Sequence, residues 1–343
     1  MNRAYLDYNA TAPLRPEARA AMGAAMELVG NPSSVHAEGR AAKALVERAR
    51  AQVAAALGCD PGEVVFTSGA TEAAGVLAHW PGPVAVQPTA HDALWAHRRE
   101  DGAGPGLYAM GLANSETGII TEPAPAAERA GALLVDITQA VGRMPFAFSW
   151  SGADFAVLSA HKLGGPKGVG ALILRQGVDI APLAPGGGQE MGRRSGTENI
   201  IGIAGFGAAI EAAMRDLEAG AWARVEKLRN ILESSIEESA KGTIFVGNSQ
   251  PRLPNTSCFI SPGWKGETQV MAMDLAGFAI SAGSACSSGK VRASRVLAEM
   301  GYDGAHAGCA IRVSLGPETR EDEVLRFARA WAKQHARHRA RAA

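Results

Sequence analysis

The sequence predicts an α/β fold, with a mainly parallel sheet in a large domain and a smaller α+β domain after it. The first observation is a rhythm: short apolar runs alternate with helical or glycine-rich segments, as in a parallel sheet covered by helices on both faces. The second is size and composition. The chain has 343 residues, of which 47% are hydrophobic and 20% charged, so it can bury a large core and form roughly two domains.

The N-terminal half gives the elements of the large domain in order. An extended arm ends at Pro13, and helical spacing then predicts helices over residues 16 to 29 and 37 to 57, the second stopped by Gly58. The predicted strands of the sheet lie at residues 64–66, 84–86, 107–110, 133–136, 155–158 and 171–174.

The C-terminal half predicts the smaller domain. Residues 199–239 show one long helical pattern, interpreted as an inter-domain helix, and further strands are predicted at 243–246, 255–260, 278–281 and 311–314. We therefore expect an arm of residues 1–15 that packs with the small domain, a large domain of residues 16–230 and a small C-terminal domain of residues 231–343.

Charge and cysteine content exclude several function classes. Lysine and arginine number 34, as do aspartate and glutamate, and the isoelectric point is about 7.1, so nucleic acid is not an expected partner. No apolar run reaches the length of about 20 residues that spans a bilayer, and no signal peptide opens the chain, so no membrane partner is expected. Four scattered cysteines without a CxxC pair predict neither a disulfide framework nor a metal site, and they favour a cytoplasmic location.

Lys162 closes a predicted buried strand and is followed by the glycine-rich segment 164–168. A lysine held there among small residues can be desolvated, which lowers its pKa and frees the amine to form a Schiff base. Asp136 ends another predicted strand, and Gln139 follows it. Because strand ends line the ligand crevice of an open α/β sheet, this pair suits pyridoxal 5'-phosphate (PLP), with Lys162 on its aldehyde and Asp136 on its pyridinium nitrogen. The alternatives for each alone are a surface lysine and a helix-capping aspartate.

Further motifs accompany this pair. They occupy residues 5–11 (YLDYNAT), 30–34 (GNPSS), 66–72 (FTSGATE), 159–162 (SAHK), 186–190 (GGGQE), 194–199 (RSGTEN) and 283–288 (GSACSS). In this order and spacing the chain resembles the class V aminotransferase family, specifically cysteine desulfurases of the NifS/IscS type. The resemblance implies PLP-dependent fold type I, with a seven-stranded type of sheet, and conversion of L-cysteine to L-alanine.

The resemblance also implies the cofactor-binding residues. Thr71, Ser159 and His161 would bind the phosphate, Gln139 would donate to the phenolic oxygen, and Thr197 would reach the phosphate of a second subunit in a homodimer. His91 would stack on the ring and handle protons, although a lone histidine is more often structural. The full implied set is Ala70, Thr71, His91, Asn114, Ser115, Asp136, Gln139, Ser159, His161, Lys162 and Thr197. Ser115 stands where the family usually has asparagine, so either Ser115 or Asn114 would contact the cofactor.

The implied catalytic residues are Lys162, His91 and Cys286. Cys286 would receive the sulfur as a persulfide, and the nearby Lys290 and Arg292 would favour its thiolate form. It would pass the sulfur to an acceptor or scaffold protein, above all one that assembles iron–sulfur clusters. The implied substrate-binding residues are Arg312, for the α-carboxylate, with Asn31 and His36.

The chain departs from the family between His91 and Asn114, where a short glycine-rich stretch, residues 102–106, replaces a βα unit, and the tail after Arg312 is short. Two other functions stay open. One is another class V reaction, such as that of a selenocysteine lyase. The other is a non-catalytic PLP-fold partner or regulator of a desulfurase.

Overall fold

The computed structural model describes residues 3–125, 128, 131–283 and 294–342. They form two compact units. The larger unit is Thr11–Ala113 with Thr121–Glu218, and the smaller unit is the described part of Met1–Ala10, Asn114–Ile120 and Ala219–Ala343.

The strands and helices follow in chain order. The strands are β1 (Ala4–Tyr5), β2 (Val64–Thr67), β3 (Val84–Val86), β4 (Leu107–Gly111), β5 (Ala132–Asp136), β6 (Phe155–Ser159), β7 (Gly170–Leu174), β8 (Ile244–Phe245), β9 (Thr256–Ile260), β10 (Phe278–Ala279) and β11 (Ala310–Ser314). The helices are α1 (Pro16–Met26), α2 (Ala37–Leu57), α3 (Ala70–Ala73), α4 (Asp92–Trp95), α5 (Phe148–Ser151), α6 (Ile200–Glu218), α7 (Ala221–Ser239), α8 (Gly266–Leu275), α9 (Arg295–Glu299), α10 (Gly304–Ala307) and α11 (Glu321–Ala342). Short 3₁₀ turns occupy Pro61–Glu63, Ala74–His79, Ala160–Lys162 and Glu190–Gly192.

The larger unit is built on one mixed sheet, with strand order β2-β7-β6-β5-β4-β3. Strands β3 to β6 run parallel, whereas β7 is antiparallel to both β6 and β2. The described residues thus supply six strands, one fewer than the seven-stranded type. The connection from α4 to β4, residues 96–106, is too short to hold another strand and helix.

Helices α1, α2 and α6 pack together on this unit. Small residues on α6 let the helices approach closely: a Cβ at Gly207 would lie 2.9 Å from Ala49 Cα and 2.3 Å from Gln52 Oε1 on α2. Helix α2 ends at Gly58 with φ of 62°, a left-handed C-cap that glycine adopts without steric cost, as its sequence predicts.

The smaller unit contains two small sheets. Strand β9 lies between β11 and β8 in an antiparallel sheet, and β1 pairs in parallel with β10. Helices α7, α8 and α11 pack in this unit, and Trp331 of α11 is fully buried against Phe259 of β9. None of the described helices combines the length and apolarity that crossing a membrane would require.

The single long helix expected over residues 199–239 is wrong, because the structure has two helices there. Helix α6 ends at Glu218, and α7 begins after Gly220, whose φ of 71° is left-handed. An apolar period alone does not show this break, since glycine is tolerated within helical patterns. The boundary expected at residue 230 lies inside α7, whereas the division into units falls at this break.

Candidate active site

Strands β5 and β6 bring Asp136 and Lys162 to the same edge of the sheet. Asp136 is the last residue of β5 and pairs in register with Val157 of β6, which ends two residues later at Ser159. Asp136 is partly buried, and its Oδ1 accepts a hydrogen bond of 2.9 Å from the Thr138 N–H. Because parallel strands end together, both residues lie at the carboxyl edge of the sheet, and their meeting at a ligand crevice stays a prediction.

The backbone around Lys162 is fixed by hydrogen bonds that four consecutive carbonyl groups, of residues 161–164, accept. The His161 oxygen accepts from Ala12 N (2.8 Å) and the Lys162 oxygen from Arg143 Nη2 (2.9 Å). The next two carbonyls, of residues 163 and 164, accept from Arg15 Nε (2.8 Å) and Arg15 N (2.9 Å). Arg15 is itself fixed by a 2.7 Å ion pair to Asp216. These bonds fix the backbone from which the Lys162 side chain extends.

Arg143 is a site residue that the sequence interpretation missed. It is only 4% exposed and bridges two expected cofactor residues, donating to Gln139 Oε1 (2.6 Å) and to the Lys162 carbonyl. Since a guanidinium only donates, Gln139 must turn its amide oxygen towards Arg143 and its NH₂ group away. This orientation suits the donor role expected of Gln139. The spacing of four residues between Gln139 and Arg143 is the signal that could have revealed the pair.

The turn after β2 carries the expected phosphate-binding groups. Ser159 Oγ accepts from the Ala70 N–H at 2.8 Å, so the end of β6 is joined to this turn. A Cβ at Gly69 would stand 3.3 Å from Ser159 Oγ, which shows that glycine leaves space beside that hydroxyl. Thr71 is exposed.

His161 lies beside Lys162 and is electrically neutral at pH 7. Burial, reinforced by the charges of Lys162 and Lys167, lowers its pKa to about 4. Its Nδ1 is 3.2 Å from Thr11 Oγ1. A neutral imidazole can still donate one hydrogen bond, and an arriving anion would favour its protonation.

His91 is the N-cap of α4. Its Nδ1 accepts from the Ala93 N–H at 3.1 Å, and because a backbone N–H can only donate, the proton of the neutral ring belongs on Nε2. His91 thus has a structural role and a defined tautomer at once. The cap does not exclude the expected contact with the cofactor ring, which stays a prediction.

Asn31 and His36 belong to the exposed segment that precedes α2. Asn31 Oδ1 accepts from Ser33 N (2.9 Å), and His36 is the N-cap of α2 through Gly39 N (3.3 Å). Thr197 is also exposed, just before α6. These contacts give Asn31 and His36 local structural roles, and their part in substrate binding stays a prediction.

Arg312, Asn114 and Ser115 belong to the smaller unit. Arg312, 4% exposed on β11, donates to Asp7 Oδ1 (2.8 Å) and to the Ser115 carbonyl (2.9 Å). Among the described residues its Nε has no hydrogen-bond partner, so this guanidinium keeps a donor available for a carboxylate. Asn114 Oδ1 instead accepts from the N–H groups of Glu116 and Thr117 at 2.9 Å each.

Cys286, with Lys290 and Arg292, lies outside the described residues. The described cysteines are free, and burial raises the pKa of both the Cys59 and the Cys258 thiols to about 12. Nearby carboxylates raise both further. Neither residue therefore supplies a thiolate at neutral pH.

The residues of the larger unit fit PLP chemically. A fixed lysine, a carboxylate and an oriented amide follow β5 and β6, while the hydroxyls of Thr71 and Ser159 and the His161 ring offer donors to a phosphate. No group of three or more potential metal-ligating side chains occurs in the part of the chain that the structure describes.

Comparison with known proteins shows the family of this chain. The profile of the family described as aminotransferase class-V matches residues 4–91 and 103–327, and its gap, residues 92–102, covers α4 and the start of the short segment after it. A cysteine desulfurase of Cereibacter sphaeroides is 39% identical, covering 95% of this chain and 94% of the relative, and an IscS-like cysteine desulfurase of Mycobacterium tuberculosis is 34% identical, covering 94% and 93%.

A solved structure of a NifS-like protein from Rickettsia africae superposes with a TM-score of 0.88 at 29% identity, covering 97% of this chain and 99% of that one. The PLP fold type I that the resemblance implies is thereby confirmed. From its site and its relatives, this chain belongs to the class V aminotransferase family, on the branch that contains the NifS/IscS-type cysteine desulfurases.

Proposed function

We propose that this protein is a PLP-dependent L-cysteine desulfurase. The observation that carries the proposal is the backbone of Lys162, fixed through its carbonyl and those of its neighbours directly after β6, the strand that pairs with β5, which ends at Asp136. Similarity of 39% to a cysteine desulfurase over nearly the full length supports the choice of substrate.

PLP, bound as a Schiff base on Lys162, would supply an electron sink. Asp136 would hold the pyridine nitrogen protonated, and Gln139, with its orientation set by Arg143, would donate to the phenolic oxygen. Thr71, Ser159 and His161 would bind the phosphate. Lys162 and His91 would move the proton between the substrate Cα and its neighbouring positions.

Cys286 would be the sulfur acceptor within the enzyme. In the net reaction the C–S bond of L-cysteine breaks and an S–S bond forms on Cys286. A proton takes the place of the sulfur on the substrate Cβ, so that L-alanine leaves. Arg312 would bind the substrate carboxylate through its remaining donor, and Asn31 and His36 would line the approach. The high thiol pKa values of Cys59 and Cys258 make them unsuited to this role.

The functional molecule would be a homodimer in the cytoplasm, with Thr197 of each subunit serving the phosphate of the other. The sulfur would pass to an acceptor protein, as in iron–sulfur cluster assembly. The short segment after α4 would affect the choice of that acceptor rather than the chemistry.

The test is to incubate the purified, PLP-loaded protein with L-cysteine and a reductant, and to measure sulfide and alanine. Equal amounts of both are expected, with one added sulfur on the Cys286 peptide by mass spectrometry after brief exposure. Cys286→Ser should still take up PLP but make no persulfide, while Cys309→Ala should behave as the wild type. Turnover of selenocysteine without turnover of L-cysteine would instead favour a selenocysteine lyase. If neither amino acid is turned over, a non-catalytic role is favoured.

A further inference from the structure

The stretch of residues 186–197, here called the return segment, runs back beside the phosphate-binding turn, and several bonds fix it. Ser195 N donates to the Ala184 carbonyl and Leu183 N to the Arg193 carbonyl, each at 2.8 Å. Within the segment, Gly196 N donates to Gln189 Oε1 at 3.0 Å. Its end, which carries Thr197, therefore has a defined path although it is exposed.

Glu72 joins the return segment to the phosphate-binding turn, residues 68–71. Its Oε1 accepts from Arg194 Nε at 2.8 Å, and its Oε2 accepts from the Ser68 N–H at 2.6 Å. One carboxylate thus bonds the first residue of the turn with one oxygen and the return segment with the other. Although burial works to raise it, the pKa of Glu72 is held below its ordinary range by the hydrogen bonds from Arg194 and Ser68, so the pair is charged at neutral pH.

The other end of the same turn is fixed separately, since the Ala70 N–H donates to Ser159 Oγ on β6. The turn is therefore held between β6 on one side and the Glu72–Arg194 pair on the other. About a quarter of each side chain of that pair is exposed, so the pair is accessible to variation without opening the core.

We propose that Glu72 and Arg194 are positioning residues for the phosphate of PLP, a role that rests on the proposed function. Neither residue is needed as a phosphate ligand. The ion pair sets the turn at residues 68–71, which would serve its own subunit's phosphate, together with the return segment, whose Thr197 would serve the other subunit's, so that both are placed before PLP binds.

A purely electrostatic role and a positioning role for Glu72 predict opposite changes in PLP affinity when the carboxylate is removed. If the carboxylate acted only through its charge, its removal would strengthen binding of the phosphate dianion, because one repulsion would disappear. If it acts by position, its removal weakens binding. A glutamine replaces one of the two carboxylate oxygens with an NH₂ group, so when its oxygen accepts from Arg194 the NH₂ group faces the Ser68 N–H, and the reverse, and one of the two hydrogen bonds is lost.

The experiment measures the affinity of the full-length protein, freed of cofactor, for PLP and for pyridoxal, which lacks the phosphate, by absorbance titration. For Glu72→Gln we expect PLP affinity to fall about fivefold, the equivalent of a partly exposed ion pair, with pyridoxal affinity unchanged. Arg194→Gln should lower PLP affinity at least as much, because it also leaves the Glu72 charge uncompensated. Arg194→Lys keeps the charge but offers a single donor group, so its PLP affinity should lie between those of the wild type and Arg194→Gln.

Glu17→Gln is the matched control. Glu17 forms an exposed ion pair with Arg215 in the same unit, so the change in net charge is the same and PLP affinity should be that of the wild type. Tighter PLP binding by Glu72→Gln, or an equal loss of PLP and pyridoxal affinity, overturns the proposal. A wild type that takes up neither compound overturns the cofactor assignment itself.

Discussion

Arg143 shows, at the scale of single residues, how a buried cation can organise a site without touching substrate. Its guanidinium bonds the Gln139 side chain and the Lys162 carbonyl, so two groups expected on opposite parts of the cofactor share one support. Hydrogen bonds from charged donors are shorter and stronger than neutral ones, which suits a positioning role.

Replacing Arg143 should therefore lower turnover more than substrate affinity. In Arg143→Gln the Lys162 carbonyl and the Gln139 oxygen compete for one amide group, and we expect kcat to fall about tenfold, for a loss of about 1.4 kcal/mol, with KM for L-cysteine little changed. Steady-state kinetics checks this. Arg143→Lys should recover part of kcat, since it can reach one of the two acceptors, and a loss confined to KM would contradict the role.

His161 gives a prediction about pH. Because its pKa in the folded protein is about 4, below the ordinary value, the folded state binds the proton less readily than the unfolded chain. Its contribution to stability is thus complete above the ordinary value and is lost as pH falls towards 4. In the cofactor-free protein, about 1 to 2 kcal/mol of the free energy of unfolding should disappear over this range, allowing for the partial exposure of the ring.

Urea unfolding at a series of pH values measures this loss. His161→Gln should flatten the stability curve between pH 6.5 and 4. An unchanged slope in His161→Gln would mean that other groups cause the acid sensitivity.

At the scale of elements, α2 and the turn Glu190–Gly192 are held together by a buried ion pair. Arg50 and Glu190 are each 5% exposed and form two parallel hydrogen bonds of 2.8 Å, and Glu190 Oε2 also accepts from Phe66 N on β2. Glu190 and Met191 have positive φ of 50° and 59°, a conformation that non-glycine residues adopt at a cost. The pair keeps this strained turn in place.

Breaking the pair should be costly for stability. Arg50→Met leaves the Glu190 carboxylate buried without its cation, and we expect a loss of about 3 to 5 kcal/mol in the free energy of unfolding. Adding Glu190→Gln should cost less than the sum of the two single changes, because the uncompensated charge is then gone. Urea denaturation of the single and double variants measures the coupling, and strict additivity would show that the two side chains do not depend on each other.

The glycine at the break between α6 and α7 can be compared with a glycine inside a helix. A Cβ at Gly220 would meet nothing within 4 Å, so Gly220→Ala isolates the cost of its left-handed φ, which we expect to be about 1 kcal/mol. Gly23, inside α1, is equally open, and Gly23→Ala should instead stabilise the protein by about 0.5 to 1 kcal/mol. Thermal melts compare the two directly, and a shared sign would contradict the reason given for the helix break.

At the scale of the whole molecule, the proposed sharing of active sites between two subunits makes a prediction that no single chain can satisfy. If Thr197 serves the site of the second subunit, a mixed dimer of Lys162→Ala with Thr197→Ala contains one complete site, because Lys162 and Thr197 then come from different chains. Mixing the two variants at limiting PLP should restore activity that neither has alone. Mixtures that stay at the level of the separate variants would place Thr197 in its own subunit's site.

The sequence by itself determined the strands of the larger sheet, helix α2 and the positions of Asp136 and Lys162 at the ends of two strands. These features depend on local patterns: apolar runs specify strands, glycine caps a helix, and the ends of neighbouring parallel strands must converge. Even so, the single helix expected over residues 199–239 was wrong, because a left-handed glycine leaves no trace in the apolar period.

Only the tertiary structure decided how the site residues are supported. Glu72 and Arg194 are 122 positions apart, and Arg50 and Glu190 are 140 apart, so no local pattern in the sequence announces either pair. The sequence shows the same residue type whether a charged side chain is solvated or buried. Which of them becomes a fixed support depends on the fold that removes it from water and supplies its partner, because desolvation is affordable only where that partner stands within hydrogen-bond distance.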